Sequence, residues 1–393
     1  MENSWVRIKD LNFYSIKVRG KTEWKFMEFI SDDNISGISE ITDTQLNSSV
    51  SELVAKLSNK FRGQTLNDEE NLLEYIKYDE LKATNSLVLA TAISGIRSAF
   101  LDLLSRRMEM SLKNFLCINS NIDLNFSKEI ELYANINRSL LPDNNGPVER
   151  SSRTFANEAL SAVKRGFKTV KCAPFDECKA PFSTQNCLPL EAIAGLERLS
   201  GISDVISNKT KLFVDCHSRF DLDSSFYVHD ELVKRNISWF EEPIDPEIFP
   251  EETKKIKSYS KIPLAGAEMA YGNETMQKLI SENILDIVMP DVKFCGGPTE
   301  VINLYKTLGN GKKVISMHCP SGPISLLTSA HVTSAIQAHL PLEHAIDEVE
   351  WRNELLLPSE SINNGNYILS DNHGLGSTLD KAYIKFNGNI WKE

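Results

Sequence analysis

The sequence predicts an α/β fold: a (β/α)8-type TIM barrel preceded by an α+β segment. Three observations lead there. From about residue 129, apolar runs short enough for strands alternate with amphipathic helical segments, and such βα alternation implies a parallel sheet. Eight such units fit into roughly 215 residues, near the lower practical size of a closed barrel. No strand is followed by GxGxxG or GxxxxGK[ST], so the competing open, doubly wound sheet of nucleotide-binding folds has no local support.

The elements follow in chain order. Residues 8–42 read as an antiparallel meander: Leu11 and Phe13 alternate with polar neighbours, WKFMEFI follows, and SDDNISG turns the chain toward ISEIT. Helical stretches come next, the clearest being SLVLATAISGIRSAFLDLLSRRM, in which Ile93, Ile96, Phe100 and Leu103 share one face. The barrel strands predicted are IELYANI, TVKC, LFVDCH, SWFEE, PLAGAE, DIVMPD, VISMH and PLEH. Segments such as ETMQKLISEN and EVINLYKTLGN supply crossover helices, and beyond about residue 346 the chain returns to turns and short strands. The expected division is 1–128, 129–345 and 346–393.

Composition narrows the partners. A chain of 393 residues with 41% hydrophobic and 25% charged content has the balance of a soluble protein with a sizeable core. The net charge of -11 argues against nucleic acid, because phosphate binding needs a basic face. An anionic substrate would need a metal ion or a few placed cations. MENSWVRIKD lacks a secretory pattern, and no apolar run is read as approaching the roughly 18 residues of a membrane span, so a cytoplasmic location without a membrane partner is expected. Seven cysteines form no CxxC pair, which fits a reducing compartment. Cys216, Cys295 and Cys319 adjoin the residues below and are expected to be small buried fillers.

Titratable residues end strand after strand: Lys171, Asp215 with His217, Glu241, Glu268, Asp291, His318 and Glu343. Subtracting successive positions from Asp215 gives steps of 26, 27, 23, 27 and 25 residues, each about one βα unit. In a parallel barrel all strand C-termini open on one mouth, so the groups gather in one cavity. Burying Asp215, Glu241 and Glu268 together is costly unless a cation neutralises them, and an oxygen-only set suits a hard cation such as Mg2+. Any one of them alone reads more simply as a salt-bridged strand-end residue. Asp291 beside His318 fixes an imidazole tautomer and makes a general base. Alternation along a strand points Asp215 and His217 the same way. Lys171 reads as an acid/base, a carboxylate clamp or a surface lysine. The remaining histidines, 229, 331, 339, 344 and 373, read as structural hydrogen-bonding residues.

These strand ends resemble the enolase superfamily, in particular its mandelate racemase subgroup, over nearly the whole chain. WFEEP is similar to the strand bearing the second metal ligand, MPDVKFCGG to the strand of the dyad aspartate, ATAISGIRSAFLDLL to the capping-domain helix, and HGLGSTLD to the late Gly-rich return to that domain. Asp291 stands five residues before Gly296-Gly297, where the muconate-lactonizing branch has its lysine; Lys293 is two residues on. VDCHSRF and HCPSGPISLLTSAHVTSAI with Glu343 resemble acid-sugar dehydratases of the galactonate type, in which the residue at 217 is a catalytic histidine. Two positions depart from the family: Ala173 replaces the second lysine of KxK, in a KxxPF-like setting, and Met269 stands where galactonate dehydratases have arginine.

The resemblance implies a barrel sealed by an α+β cap made from both chain ends, Mg2+ as cofactor, and a homo-oligomer. It implies dehydration of a sugar acid, an aldonate or aldarate: His318 takes the C2 proton, a protonated Glu343 and Lys171 stabilise the enediolate, and His217 protonates the departing 3-hydroxyl. Arg19, Lys21, Arg138 and Arg219 are candidate substrate contacts, each also readable as solvated surface. Racemisation or epimerisation of a 2-hydroxy acid by Lys171 and His318 is the alternative within enzymes, and it leaves His217 without a purpose. A non-catalytic relic that binds a sugar acid would be expected to have lost a ligand or a dyad member, and none is missing.

Overall fold

Strand periodicity in the N-terminal segment produces the meander. Val6–Lys17, Glu23–Ser31 and Ser36–Glu40 pair antiparallel in sequence order, and Asn389–Lys392 joins the free edge of the first strand. Both chain ends therefore build one sheet. The structure, a computed structural model, describes residues 5–20, 22–42, 50–124, 127–141, 148–179, 188, 190–309 and 311–392.

The meander packs on the helix Leu87–Arg107, started by Ser86, whose side chain accepts from Leu89 N. Ile93, Ile96, Phe100 and Leu103 are buried as their spacing predicts, but so is every residue from Ala90 to Ser105. The helix is enclosed by the meander and by Val50–Ser58, Glu69–Glu80 and Leu112–Asn119, so it needs no polar face. Gly37 makes this approach possible, since a Cβ there would stand 2.2 Å from the carbonyl oxygen of Ala99. One expectation is corrected: by length and composition this helix could cross a membrane, although 89% of its apolar window is buried inside the protein.

The barrel follows in parallel, sequence-ordered strands: Glu129–Asn135, Thr169–Cys172, Lys211–Asp215, Trp239–Glu241, Leu264–Gly266 and Ile287–Val288, with Leu342–Ala345 pairing back onto the first. VISMH departs from the expected strand. Gly311–Val314 is a helical turn and only Ile315 bridges to Val288. Closure is completed by single bonds from Ser316 N to Val288 O, His318 N to Pro290 O and Glu343 N to Met317 O, at 3.1, 3.1 and 3.2 Å. Alternation then sorts the interior into levels. Tyr133, Phe213 and Trp239 form an apolar plug, with Phe213 and Trp239 stacked at 4.2 Å between ring centroids. Two residues further along the same strands come Asn135, Asp215 and Glu241, at the mouth.

The tail contains the expected short strands and also a helix, Lys381–Asn387, that is too short to show a period in the sequence. HGLGSTLD docks on the cap: Leu375 N donates to Asp102 of the long helix and Leu112 N donates to Gly374 O, both at 2.7 Å. Two further links join cap and barrel. Glu40 accepts from Gly322 N and Ser325 N, both at 3.0 Å, and so caps the helix Pro323–Ala335 from outside. Arg97, buried on the long helix, pairs with Glu69 and with Glu300 of Pro298–Thr307 at 2.6 and 3.0 Å.

Candidate active site

The ends of barrel strands three to five bring Asp215, Glu241 and Glu268 together, with one carboxylate oxygen from each within 4.8 Å of the others. Asp215 and Glu241 are paired in register across neighbouring strands. The chain after each strand enters left-handed backbone: φ is 46° at His217, 55° at Ser218, 37° at Glu242 and 71° at Ala267. Such conformations are costly for residues with a Cβ and concentrate where a site dictates side-chain direction.

Beneath the cluster lies Lys171, fully buried, with its Nζ 2.8 Å from Glu241, 2.9 Å from Glu343 and 3.5 Å from Asp215. Burial works against its charge, but Glu241 and Glu343 outweigh that and hold it well above an ordinary lysine, so it is an ammonium. Glu241 goes the other way: burial and repulsion from Asp215 raise it despite Lys171. Three carboxylates meet at one point, and even beside the Lys171 ammonium one of them is pushed toward protonation, so the set has room for further positive charge. Glu268 Oε2, moreover, is buried without an aligned hydrogen-bond donor, although His318 Nε2 stands 2.9 Å away. This set fits a hard divalent cation.

Two histidines flank the cluster. His318 Nδ1 lies 2.9 Å from Asp291 Oδ2, and its Nε2 faces Glu268. Burial would lower this imidazole, yet Glu268 and Glu343 raise it well above the usual value; Glu268 in turn, disfavoured by burial, is brought down to about 2 by His318. His217 Nε2 stands 3.1 Å from Asp215 Oδ2. Strand alternation is not the cause, because the strand stops at Asp215. The chain turns left-handed instead, and His217 N donates to Asp215 Oδ1 at 3.0 Å. Glu343 is also corrected. It was expected to be protonated, but although burial disfavours its charge, Lys171 and His318 lower it, and it accepts from Asn135 Nδ2, Lys171 Nζ and Cys319 N.

A cavity of about 880 Å3 opens above these groups, a volume suited to a small molecule. Its barrel side includes Asp215, His217, Glu242, Glu268, His318 and Met269. The cap contributes Lys17, Gly20, Thr22, Glu23, Trp24 and Lys25. Of the expected substrate contacts, Arg138 lines it; Arg19 and Arg219 do not, and Lys21 lies outside the described residues. Sequence reasoning missed Asp176, Asn135, Asn137 and Lys293. Asn135 carried a usable signal, being polar at the end of the first barrel strand. Asp176 sits on a turn, where no periodicity singles it out. Cys216, Cys295 and Cys319 are buried, as expected of small fillers, and the other three described cysteines are buried and free as well.

Residues 154–383 match the enolase C-terminal domain-like family. The chain belongs to the enolase superfamily. Among curated relatives, the arabinonate dehydratase of Saccharolobus solfataricus is 24% identical over 80% of this chain and 78% of its own length. The D-gluconate/D-galactonate dehydratase of Picrophilus torridus is 23% identical over 96% and 93%. Among solved structures, an enolase superfamily member from Salmonella Typhimurium superposes with a TM-score of 0.86 at 20% identity, covering 98% of this chain and 99% of that one. A mandelate racemase/muconate lactonizing enzyme from Jannaschia sp. CCS1 gives 0.81 at 17% identity, covering 98% of each. These likenesses establish the capped barrel as the superfamily fold of this chain.

Proposed function

We propose that the chain is a Mg2+-dependent sugar-acid dehydratase that removes the C2 proton of an aldonate or aldarate and eliminates the 3-hydroxyl. The observation that carries this reading is the pair of histidines, each presenting Nε2 within 3.1 Å of a carboxylate of the three-carboxylate cluster. Relatives named as dehydratases of arabinonate and of gluconate and galactonate support the same class.

Asp215, Glu241 and Glu268 would hold the metal, which when bound supplies a Lewis acid for the substrate carboxylate. Against burial, Glu268 is what raises His318 most, so with Glu268 serving as a metal ligand the imidazole is free to be neutral; its Nε2, with Asp291 fixing the other nitrogen, then accepts the C2 proton. Lys171, kept as an ammonium, offsets negative charge as the enediolate develops. The C3–O bond then breaks with a proton from His217 Nε2, so the hydroxyl leaves as water. The resulting enol takes a proton at C3 and becomes a 2-keto-3-deoxy acid. Lys171 is engaged by Glu241 and Glu343, which removes support from its use as a second base in racemisation.

The test is to incubate the protein with Mg2+ and a panel of aldonates and aldarates and assay 2-keto acid with a carbonyl reagent. Keto acid from at least one substrate, abolished by EDTA, is expected. C2-proton exchange in D2O across the panel without any keto product would overturn the reading in favour of a racemase.

A further inference from the structure

His217 makes a second contact, on the side away from the metal-ligand cluster. Its Nδ1 lies 2.6 Å from Oδ1 of Asp176, which is 41 residues earlier in the chain. Asp176 stands on the turn that follows the second barrel strand, and both residues line the cavity. The two histidines are thus held alike. Asp176 and Asp291 each take an Nδ1, while the Nε2 atoms face Asp215 and Glu268.

The need for an aspartate differs between the two. His318 is buried, and packing restricts its ring. The His217 side chain is 36% exposed, on a left-handed residue, so packing holds its ring less closely than that of His318. A half-turn about χ2 would exchange Nδ1 with Cδ2 and Nε2 with Cε1, and so would take Nε2 away from its present direction beside Asp215. A hydrogen bond donated by Nδ1–H to a fixed carboxylate holds the ring in one orientation and leaves Nε2 aimed at the substrate side.

The acceptor is fixed. Arg150 donates to Glu177 Oε1 at 2.6 Å and to Ala173 O at 2.9 Å, and its Nη2 lies 3.4 Å from Asp176 Oδ2. Arg198 donates to Glu177 Oε2 at 2.6 Å and to Pro174 O at 2.7 Å. Both guanidinium groups sit over the ring of Phe155, at 5.1 and 5.3 Å. Two arginines therefore hold the turn by its backbone and by the residue next to Asp176.

We propose that Asp176 is a positioning residue for the elimination half of the reaction: it aims His217 Nε2 at the leaving oxygen, on a turn clamped by Arg150 and Arg198. This inference rests on the dehydratase reading above. The experiment compares Asp176→Ala and Asp176→Asn with the wild type, all Mg2+-loaded. It follows C2-proton exchange in D2O, keto-acid formation, and the 15N spectrum of His217 assigned with His217→Asn. Asp176→Ala is expected to slow keto-acid formation by about 10- to 100-fold while exchange continues at the wild-type rate. Asp176→Asn, whose amide oxygen still accepts from Nδ1, is expected to recover much of that loss. The wild-type spectrum is expected to show a hydrogen-bonded Nδ1–H that Asp176→Ala loses. Equal loss of exchange and elimination, wild-type elimination by Asp176→Ala, or a wild-type Nδ1 without a proton would each overturn the proposal. Absence of keto acid from the wild type strikes the dehydratase reading instead, and the spectrum still decides whether Asp176 holds the ring.

Discussion

Lys171 is the residue on which the charge balance of the site turns. Its ammonium is the only cation within 4 Å of Glu241 among the described residues, and it also neutralises Glu343. Breaking a buried pair by removing one partner leaves the other charge uncompensated, a loss of about 3–5 kcal/mol. Lys171→Met should lose that much stability without metal, and Mg2+ should raise its melting temperature more than it raises that of the wild type. Keto-acid formation should fall at least about 100-fold, the scale of losing one electrostatic stabiliser of the transition state. Equal Mg2+-induced shifts in the two proteins would show that Lys171 does not substitute for missing metal charge.

At the scale of elements, the junction of cap, barrel and tail depends on His331. It lies in the buried helix Pro323–Ala335, where its Nδ1 accepts from Lys113 N of the cap helix and its Nε2 donates to Leu375 O of the tail. One ring thus holds three segments. Burial pushes its pKa down to about 4, so the folded protein keeps this histidine neutral where the unfolded chain, titrating near 6.5, would protonate it. Its contribution is complete above pH 6.5 and is lost progressively as the pH falls toward 4. At pH 5 the loss amounts to about 2 kcal/mol. Urea midpoints measured from pH 7.5 to 5 should fall more steeply for the wild type than for His331→Asn, which does not titrate. Parallel slopes would remove His331 from this junction.

For the whole molecule, the barrel and the strand-end chemistry were legible because both obey periods. Strands recur once per βα unit, and alternation puts Asp215 and Glu241 two residues beyond the plug residues Phe213 and Trp239. The closure of the cap by the tail strand was legible only through family resemblance, since pairing between Ser15 and Asn389 leaves no local mark. Four features were not legible. VISMH has strand composition yet keeps only one bridge, because the ring closes there through isolated bonds. The direction of His217 arises from left-handed backbone rather than from a strand. The charge of Glu343 depends on how near Lys171 stands, a distance that no sequence states. Asp176 belongs with these, since only the fold brings its turn to His217. The central claim is that one histidine removes the C2 proton and a different one completes elimination. The direct measurement is His217→Asn, Mg2+-loaded, with a substrate the wild type dehydrates, followed in D2O by NMR for loss of the C2 proton and by carbonyl assay for 2-keto acid. Continued C2 exchange with no keto acid is the predicted result, and keto acid at the wild-type rate would contradict the account.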